Sequence, residues 1–397
     1  MLNDARDTRS VSIYFFAGDF AQAVRDHAEG RVHSYATHGE IALLVDDMVA
    51  RGIGVTLHSF MTPTRRVDEP RPGVRVISLG ARHYDDRASL RAALAEDDAD
   101  TIIPHFPNVT LLKEAARLER RVFPMMANSF NRTGPRSRLL RWRTMRALND
   151  RRFSLVANHC RPATEALARY GVDPGRLIAW DVPHKRTPAD SAVRSRVHRD
   201  LVRLAYAGSI SEDKGVGDLV RAVGLLRRSG RDVHVFLAGN GDIAAMKDLA
   251  TSQEVADLVD FAGTVDNHRV LHEFRTADLV VVPSRAAFPE GFPLTLFEAI
   301  AVRTPIVCSD HPMFVPVLAD GQTAAMYRNG DPAGLADAIG RVLADDRLYE
   351  AMSCNADISW ARLGGTADWR TLVRTFVTEG PDAPWIRAHM LTNMRSA

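Results

Sequence analysis

The segment EGFPLTLFE, from Glu290 to Glu298, sets two carboxylates eight positions apart around a Gly-Phe-Pro turn that opens an apolar helix, directly after the buried-strand run LVVVPS. Gly291 lets a ligand approach the backbone, and Pro293 suits a first helical turn, where its missing N–H is no loss. Free amides at such a helix start favour phosphate. A carboxylate instead accepts hydrogen bonds from hydroxyls, so the two glutamates suit the diol of a ribose or a pyranose. Taken singly, each is ordinarily a solvated surface residue; the neighbourhood makes them a ligand site. Lys214, in the turn SEDKG, is one of only four lysines among 51 Lys plus Arg. Its compact ammonium suits a phosphate as a point charge.

These residues need a scaffold, and the chain's grammar supplies one. Short apolar runs alternate with amphipathic helical stretches: SIYFFAG, IALLVDDMVARG, VTLHSF, VRVISL, TIIPHF and RVFPMMA, then again VRLAYAG, DLVRAVGLLRRSG, VHVFLAG, LVDFAG, LVVVPS and PIVCS. Such βαβ alternation predicts doubly wound parallel sheets. With 397 residues, two domains are expected. The boundaries read as an N-terminal domain over 1–183, a charged linker over 184–200 and a second domain over 201–365. A helical segment over 366–397 follows, with Trp360 and Trp369 as candidates to pin it across the domain junction or within the second domain. Ligands of open α/β sheets collect beyond the carboxyl ends of the strands, which places the expected site in a cleft between two facing domains.

Composition excludes several classes. At 46% hydrophobic, 25% charged and net charge +2 the chain is ordinary globular protein without bulk attraction to nucleic acid. Cys160, Cys308 and Cys354 are odd in number and far apart, which argues against a disulfide framework or a CxxC metal site and for a reducing cytoplasm. The N-terminus reads as a first strand, not a signal peptide, and no run approaches the ~18 apolar residues of a membrane span.

The ordered runs YAGSISEDKGVGDLVRAV, FLAGNGD, VDFAGTV and VVVPSRAAFPEGFPLTLFEAIAVRTPIVCSD resemble the donor domain of retaining GT-B glycosyltransferases, specifically glycosyltransferase family 4, with its Glu-x7-Glu signature at Glu290 and Glu298. The resemblance covers about residues 203–345; over the first domain it rests on topology and a few residues. It implies a GT-B fold of two Rossmann-like domains facing across a cleft. By that resemblance Glu298 holds the ribose of a nucleotide sugar and Glu290 contacts the donor sugar. Gly291, Phe292, Pro293 and Leu294 offer backbone contacts, Lys214 neutralises the diphosphate, and Gly208, Gly239 and Gly241 keep the adjoining turns open. Gly263 and Thr264 stand where the family lines its base pocket. Two departures are visible: Ser209 stands where the family usually has an arginine, which shifts charge compensation to Lys214 or to another arginine such as Arg285, and Arg303 stands where a glycine is common.

In the first domain, His105 ends the strand run TIIPHFPN between two prolines, which favour extended backbone. The resemblance makes it the donor-sugar histidine. Thr37, His38, Gly39 and Glu40 precede IALLVDDM, where the family has a glycine-rich phosphate or acceptor loop. The stretch 132–152 carries eight arginines and one acidic residue, Asp150. Arg136, Arg138, Arg141, Trp142 and Arg143 lie within it. Such a basic amphipathic surface can dock on anionic lipid or a phosphorylated acceptor, although a solvated helix with an ordinary buried stripe has the same pattern.

Other signals are weaker. GNGDIA, Gly239 to Ala244, matches a dinucleotide pattern but sits on the second strand of its domain. EDDAD, Glu96 to Asp100, caps a strand at the end remote from the expected cleft, and the histidines between His27 and His38 lack zinc spacing. No metal and no cofactor are expected. The expected activity is retaining, metal-independent transfer of a sugar from a nucleoside-diphosphate sugar, UDP- or GDP-linked, to a glycan, glycolipid or small-molecule acceptor, in polysaccharide biosynthesis or natural-product assembly. The expected location is cytoplasmic, with peripheral contact on the inner membrane face through 132–152. The rival readings are a nucleotide-sugar epimerase or sugar phosphorylase of the same fold, and an inactive nucleotide-sugar-binding subunit.

Overall fold

The computed structural model describes residues 9–31, 36–132, 134–184, 186–198, 201–290, 293–364 and 366–393. They divide into two compact Rossmann-like units, one comprising Met1–Phe130, Gly134–Pro183 and Gly365–Ala397, the other Asn131–Thr133 and His184–Gly364.

In the second unit a six-stranded sheet runs in the order Val259–Gly263, Val233–Ala238, Val202–Ala207, Leu279–Val282, Ile306–Ser309, Ala325–Tyr327, all parallel. The four residues of Leu279–Val282 are all buried, as expected for a strand covered on both faces. Leu204, Leu219, Val235, Leu279, Val281 and Ile339 form one core on the sheet. Strand order reverses between Val202–Ala207 and Leu279–Val282, so the loops leaving their carboxyl ends diverge at the topological switch point. That is where open α/β sheets take ligands.

The segment 184–198, expected as a linker, packs on this unit. Arg303 donates from Nε to the carbonyls of Pro188 and Ser191 at 2.8 and 2.9 Å, and Arg194 donates from its main-chain N to Ser353 Oγ at 2.8 Å. A charged side chain of the segment also bonds to a backbone carbonyl, Arg194 Nη2 donating to Ala277 O at 2.8 Å.

The first unit has a six-stranded sheet in the order Arg65–Arg71, Val74–Ala81, Gly54–Met61, Ser10–Phe15, Thr101–Pro104, Arg121–Val122. A four-stranded parallel sheet, Ala367–Asp368, Leu177–Asp181, Val156–His159, Met125–Met126, accompanies it. Arg65–Arg71 is antiparallel to Val74–Ala81. Its sequence RRVDEPR lacks apolar alternation because it is an exposed edge strand, where charge and proline oppose further pairing. The C-terminal helix Trp369–Glu379 buries Trp369, Leu372, Val373 and Phe376 in the core of this unit. Phe376 stacks on Phe123 with ring centroids 4.4 Å apart. Trp360 lies in the second unit against His184 and Phe297. No helix among the described residues is long and apolar enough to cross a membrane.

Candidate active site

At the switch point, the strand Val202–Ala207 leads into Gly208–Lys214 and the strand Leu279–Val282 into Pro283–Glu290. The two loops meet through one ion pair. Lys214 Nζ binds Glu290 Oε1, with both side chains largely buried at 13% and 7% exposure. Ser284 Oγ donates to the same carboxylate oxygen at 2.8 Å, and the Lys214 ammonium lies 4.4 Å from the centre of the Phe288 ring. The side chain of Glu290 is thus held by two donors, and its main-chain N–H donates to Phe288 O at 2.8 Å.

The helix expected after the Gly-Phe-Pro turn runs Leu294–Ala301, with Pro293 as its N-cap residue. Thr295 Oγ1 donates to Ala207 O at 2.7 Å, tying the first turn of that helix to the end of the neighbouring strand. Glu298, one turn further on, is half-buried and accepts a hydrogen bond from Asn267 Nδ2. Burial pushes its pKa up to about 7, against the opposing effects of the Asn267 bond and of nearby His184. Gly291 and Phe292 lie outside the described residues.

The glycines expected to keep the adjoining turns open are points of close backbone approach. A Cβ on Gly239 would come within 1.8 Å of Gly208 O, and one on Gly241 within 2.1 Å of Ile210 O. Both have φ of 142°, a region where side chains are rare. Their smallness lets two loops lie against each other, so that Gly208 N donates to Ala238 O and Ile210 N to Asn240 O at 2.9 and 2.8 Å. Gly263 has nothing within 4 Å of its would-be Cβ, and Thr264 is exposed.

The departures at Ser209 and Arg303 become interpretable. The main-chain carbonyl of Ser209 accepts from buried Tyr206 OH at 2.7 Å. Burial raises the Tyr206 pKa, with the Glu290 charge adding to it. Arg285, a candidate for the missing positive charge, is already committed: its Nε and Nη2 reach both oxygens of buried Asp218 at 2.8 and 2.6 Å, and Nη2 also lies 3.0 Å from Glu212. Both cations of these loops are thus paired with carboxylates, Arg285 bidentately with Asp218 and Lys214 with Glu290. Arg303 has φ of 56°, which explains why glycine suits the position. Its guanidinium carries out the stitching described above and adds Asp357 at 2.6 Å.

In the first unit, His105 follows the carboxyl end of Thr101–Pro104, and its main-chain N donates to Tyr14 O at 2.8 Å. Its ring lies among Phe15, Trp180 and Trp369, with centroids 4.8, 5.4 and 6.1 Å away. Burial lowers its pKa to about 4, so the imidazole is neutral at ordinary pH. Its Nε2 is buried with no hydrogen-bond partner among the described residues.

The expected loop at His38 and Gly39 is corrected: the helix Ala36–Ala50 already includes both. One glycine is too few to hold a glycine-rich loop open, and Glu40, in the first turns of this helix, pairs through Oε2 with Arg370 Nε of the helix Trp369–Glu379 at 2.8 Å. Over 132–152, the helix Pro135–Leu148 buries Thr144, Met145, Ala147 and Leu148 but leaves Leu139, Leu140 and Trp142 exposed at 54%, 46% and 57%. Arg136, Arg138 and Arg143 are exposed beside them, while Arg141 donates to Phe130 O and lies over the Tyr170 ring. The sequence reading missed Ser284, Asn267, Tyr206, Phe288 and His311, which are ordinary residue types without a spacing signal.

Comparison with known proteins bears on this geometry. Residues 194–358 match the family described as Glycosyl transferases group 1. A D-inositol 3-phosphate glycosyltransferase of Nocardia farcinica is 31% identical over 228 residues, covering 52% of this chain and 49% of that protein. The chain thus spans about half the length of the curated relatives it matches. Among solved structures, a sucrose-phosphate synthase from Thermosynechococcus elongatus is similar with a TM-score of 0.65 at 17% identity, over 93% of this chain and 97% of that one. HepE of Anabaena, solved in complex with UDP and glucose, has a TM-score of 0.61 at 14% identity, over 94% and 98%. The chain therefore has the GT-B fold, and the segment of residues 194–358 that matches the glycosyl transferases group 1 family contains Lys214, Glu290 and Glu298.

Proposed function

We propose that this protein transfers a sugar from a nucleoside-diphosphate sugar to an acceptor hydroxyl, with retention of anomeric configuration and without a metal. The observation that carries the reading is the buried Lys214–Glu290 pair at the switch point, inside the segment that matches the group 1 family. Its donors and acceptors fit the two halves of such a substrate. Lys214 and the amides at the start of the helix Leu294–Ala301 suit the diphosphate, and Glu290 and Glu298 suit sugar and ribose hydroxyls.

The chemical difficulty is charge separation as the glycosidic C–O bond breaks. Lys214 meets it by exchanging its partner Glu290 for the leaving diphosphate, which frees a carboxylate oxygen for the transferred sugar. Preorganised donors of this kind each contribute about 3–4 kcal/mol to such barriers. The resemblance to family 4 implies a front-face substitution, in which the acceptor attacks from the leaving-group side and a donor phosphate oxygen takes its proton. We place His105 toward the donor sugar, where its unpaired Nε2 would gain a hydroxyl partner.

The names and titles of the similar proteins support glycosyl transfer and make UDP-glucose the first donor to test. The exposed basic face of Pro135–Leu148 supports docking of an anionic lipid or phosphorylated acceptor, for which flotation with anionic vesicles is the check. The functional test is a thermal-shift screen of UDP, GDP and ADP, then of their glucose and mannose conjugates. A ligand at 100 times its Kd adds about 2.7 kcal/mol of stability. Product analysis follows: nucleoside diphosphate released in proportion to glycosylated acceptor supports transfer. Epimerised donor, sugar phosphate or binding without turnover across a broad acceptor panel would reject it.

A further inference from the structure

We propose that His311, together with Asn131, is a positioning residue that holds the Arg285–Glu290 loop so that Lys214 and Glu290 meet the donor; the proposal rests on the transferase reading above.

His311 is fully buried, just after the strand Ile306–Ser309. The main-chain N–H of Met313 donates to its Nδ1 at 3.2 Å, which makes Nδ1 the acceptor and leaves the ring hydrogen on Nε2. Nε2 faces Phe288 O at 3.0 Å and donates to it. Asn131 Nδ2 donates to Ala286 O at 2.8 Å and lies 3.4 Å from the same Phe288 O. It is 3.1 Å from His311 Nε2, a contact between two donors that the shared carbonyl brings together. Asn329 completes the clamp by accepting from Ala286 N at 3.2 Å.

The clamped residues are the ones that shape the charged pair. The Phe288 ring faces the Lys214 ammonium, and Phe288 O receives the Glu290 N–H. His311 thus acts on the backbone one step behind both groups without touching the ligand atoms assigned to them. A protonated ring would turn Nδ1 from acceptor into donor against the Met313 N–H, so the clamp requires neutral imidazole. Burial lowers the His311 pKa in the same sense. Both ring nitrogens are satisfied, as burial demands; Nδ1 is fixed by its own segment at Met313, while Nε2 and Asn131 Nδ2 both reach carbonyls of the loop that carries Glu290.

The test combines catalysis with a readout independent of donor identity. His311→Ala is expected to lower kcat roughly tenfold or more, since small misplacements of reacting groups have effects of that size, with Kd for UDP or GDP within about threefold. His311→Gln, whose side-chain amide can reach Phe288 O, is expected to recover most of the loss. Amide exchange over 284–290 should accelerate in His311→Ala and in Asn131→Ala while the helix Asn267–Thr276 keeps its protection. Unchanged kcat in His311→Ala, no recovery in His311→Gln, or an equal loss of protection across both segments would overturn the proposal. Glu290→Gln run in parallel separates the two claims: if it retains full turnover the transferase assignment fails, whereas loss there with full activity in His311→Ala removes only the clamp.

Discussion

Lys214 and Glu290 of the second unit are paired and nearly buried, whereas His105 of the first unit is neutral among aromatic rings, with its Nε2 unpartnered among the described residues. The contrast follows from desolvation. A charge removed from water must meet an opposite charge before the ligand arrives, and the ligand must then displace that partner. A neutral imidazole can wait, at about 1–3 kcal/mol for an unsatisfied polar atom. On the proposed function, the second unit would bring an exchangeable ion pair to the ligand, and the first an unmade hydrogen bond.

The largest expected effect breaks the pair. Lys214→Ala and Glu290→Ala should each lower turnover about a hundredfold or more, and each should also lower stability because the surviving charge loses its partner. Glu290→Gln, which keeps the shape and a hydrogen-bonding group, separates the catalytic effect from the structural one. Steady-state kinetics alongside urea unfolding make the measurement, and near-wild-type turnover in these variants would reject the assignment.

Next comes Glu298, which differs from Glu290 in having an amide partner where Glu290 has a cation. Its pKa of about 7 means that a ribose would meet the ionised acceptor chiefly above neutrality. Nucleotide affinity should rise from pH 6 to pH 8 by a factor approaching ten, and Glu298→Gln should flatten that profile in calorimetric titrations. Stability of the unliganded protein runs the other way. The folded value lies above the ~4.3 of a free glutamate, so the Glu298 contribution is complete below ~4.3 and is lost as pH rises through about 7.

His105 should show a smaller and differently shaped effect. His105→Ala is expected to lower transfer roughly fivefold while nucleoside-diphosphate affinity in the second unit stays put, the size of one neutral hydrogen bond of about 1 kcal/mol. Because its pKa is about 4, its titration adds no step to the activity profile between pH 6 and 8. Unchanged donor hydrolysis and transfer would make it a packing residue. The smallest catalytic effect belongs to Arg303. Arg303→Ala should cost about 1–3 kcal/mol in chemical denaturation, and Arg303→Gly somewhat less because glycine accepts its φ of 56°, with kcat little changed in either.

Much of the second unit was legible because its strands are covered on both faces and so read as continuous apolar runs. VRLAYAG, VHVFLAG, LVVVPS and PIVCS correspond to the strands Val202–Ala207, Val233–Ala238, Leu279–Val282 and Ile306–Ser309. The edge strand Arg65–Arg71 was not legible, since an exposed edge has no apolar face to announce it. At His38 and Gly39 a loop was expected by resemblance, and the helix Ala36–Ala50 includes both despite the low helix propensity of Thr, His and Gly, with Glu40 pairing to Arg370. Arg285 illustrates a further limit: its charge was visible, but the commitment of that charge to Asp218 depends on two segments 67 residues apart.

By itself the sequence determined which residue types stand at the ends of the buried strands, because hydrophobic periodicity and turn chemistry are local and a lysine or glutamate after a strand keeps that place however the sheet is ordered. Only the tertiary structure decided their partners. Reversal of strand order brings Lys214 to Glu290 across 76 residues of chain, and His311 reaches the Phe288 carbonyl from a third strand end. Hydrogen bonds and ion pairs depend on distance and direction in space, and spacing along the chain carries neither.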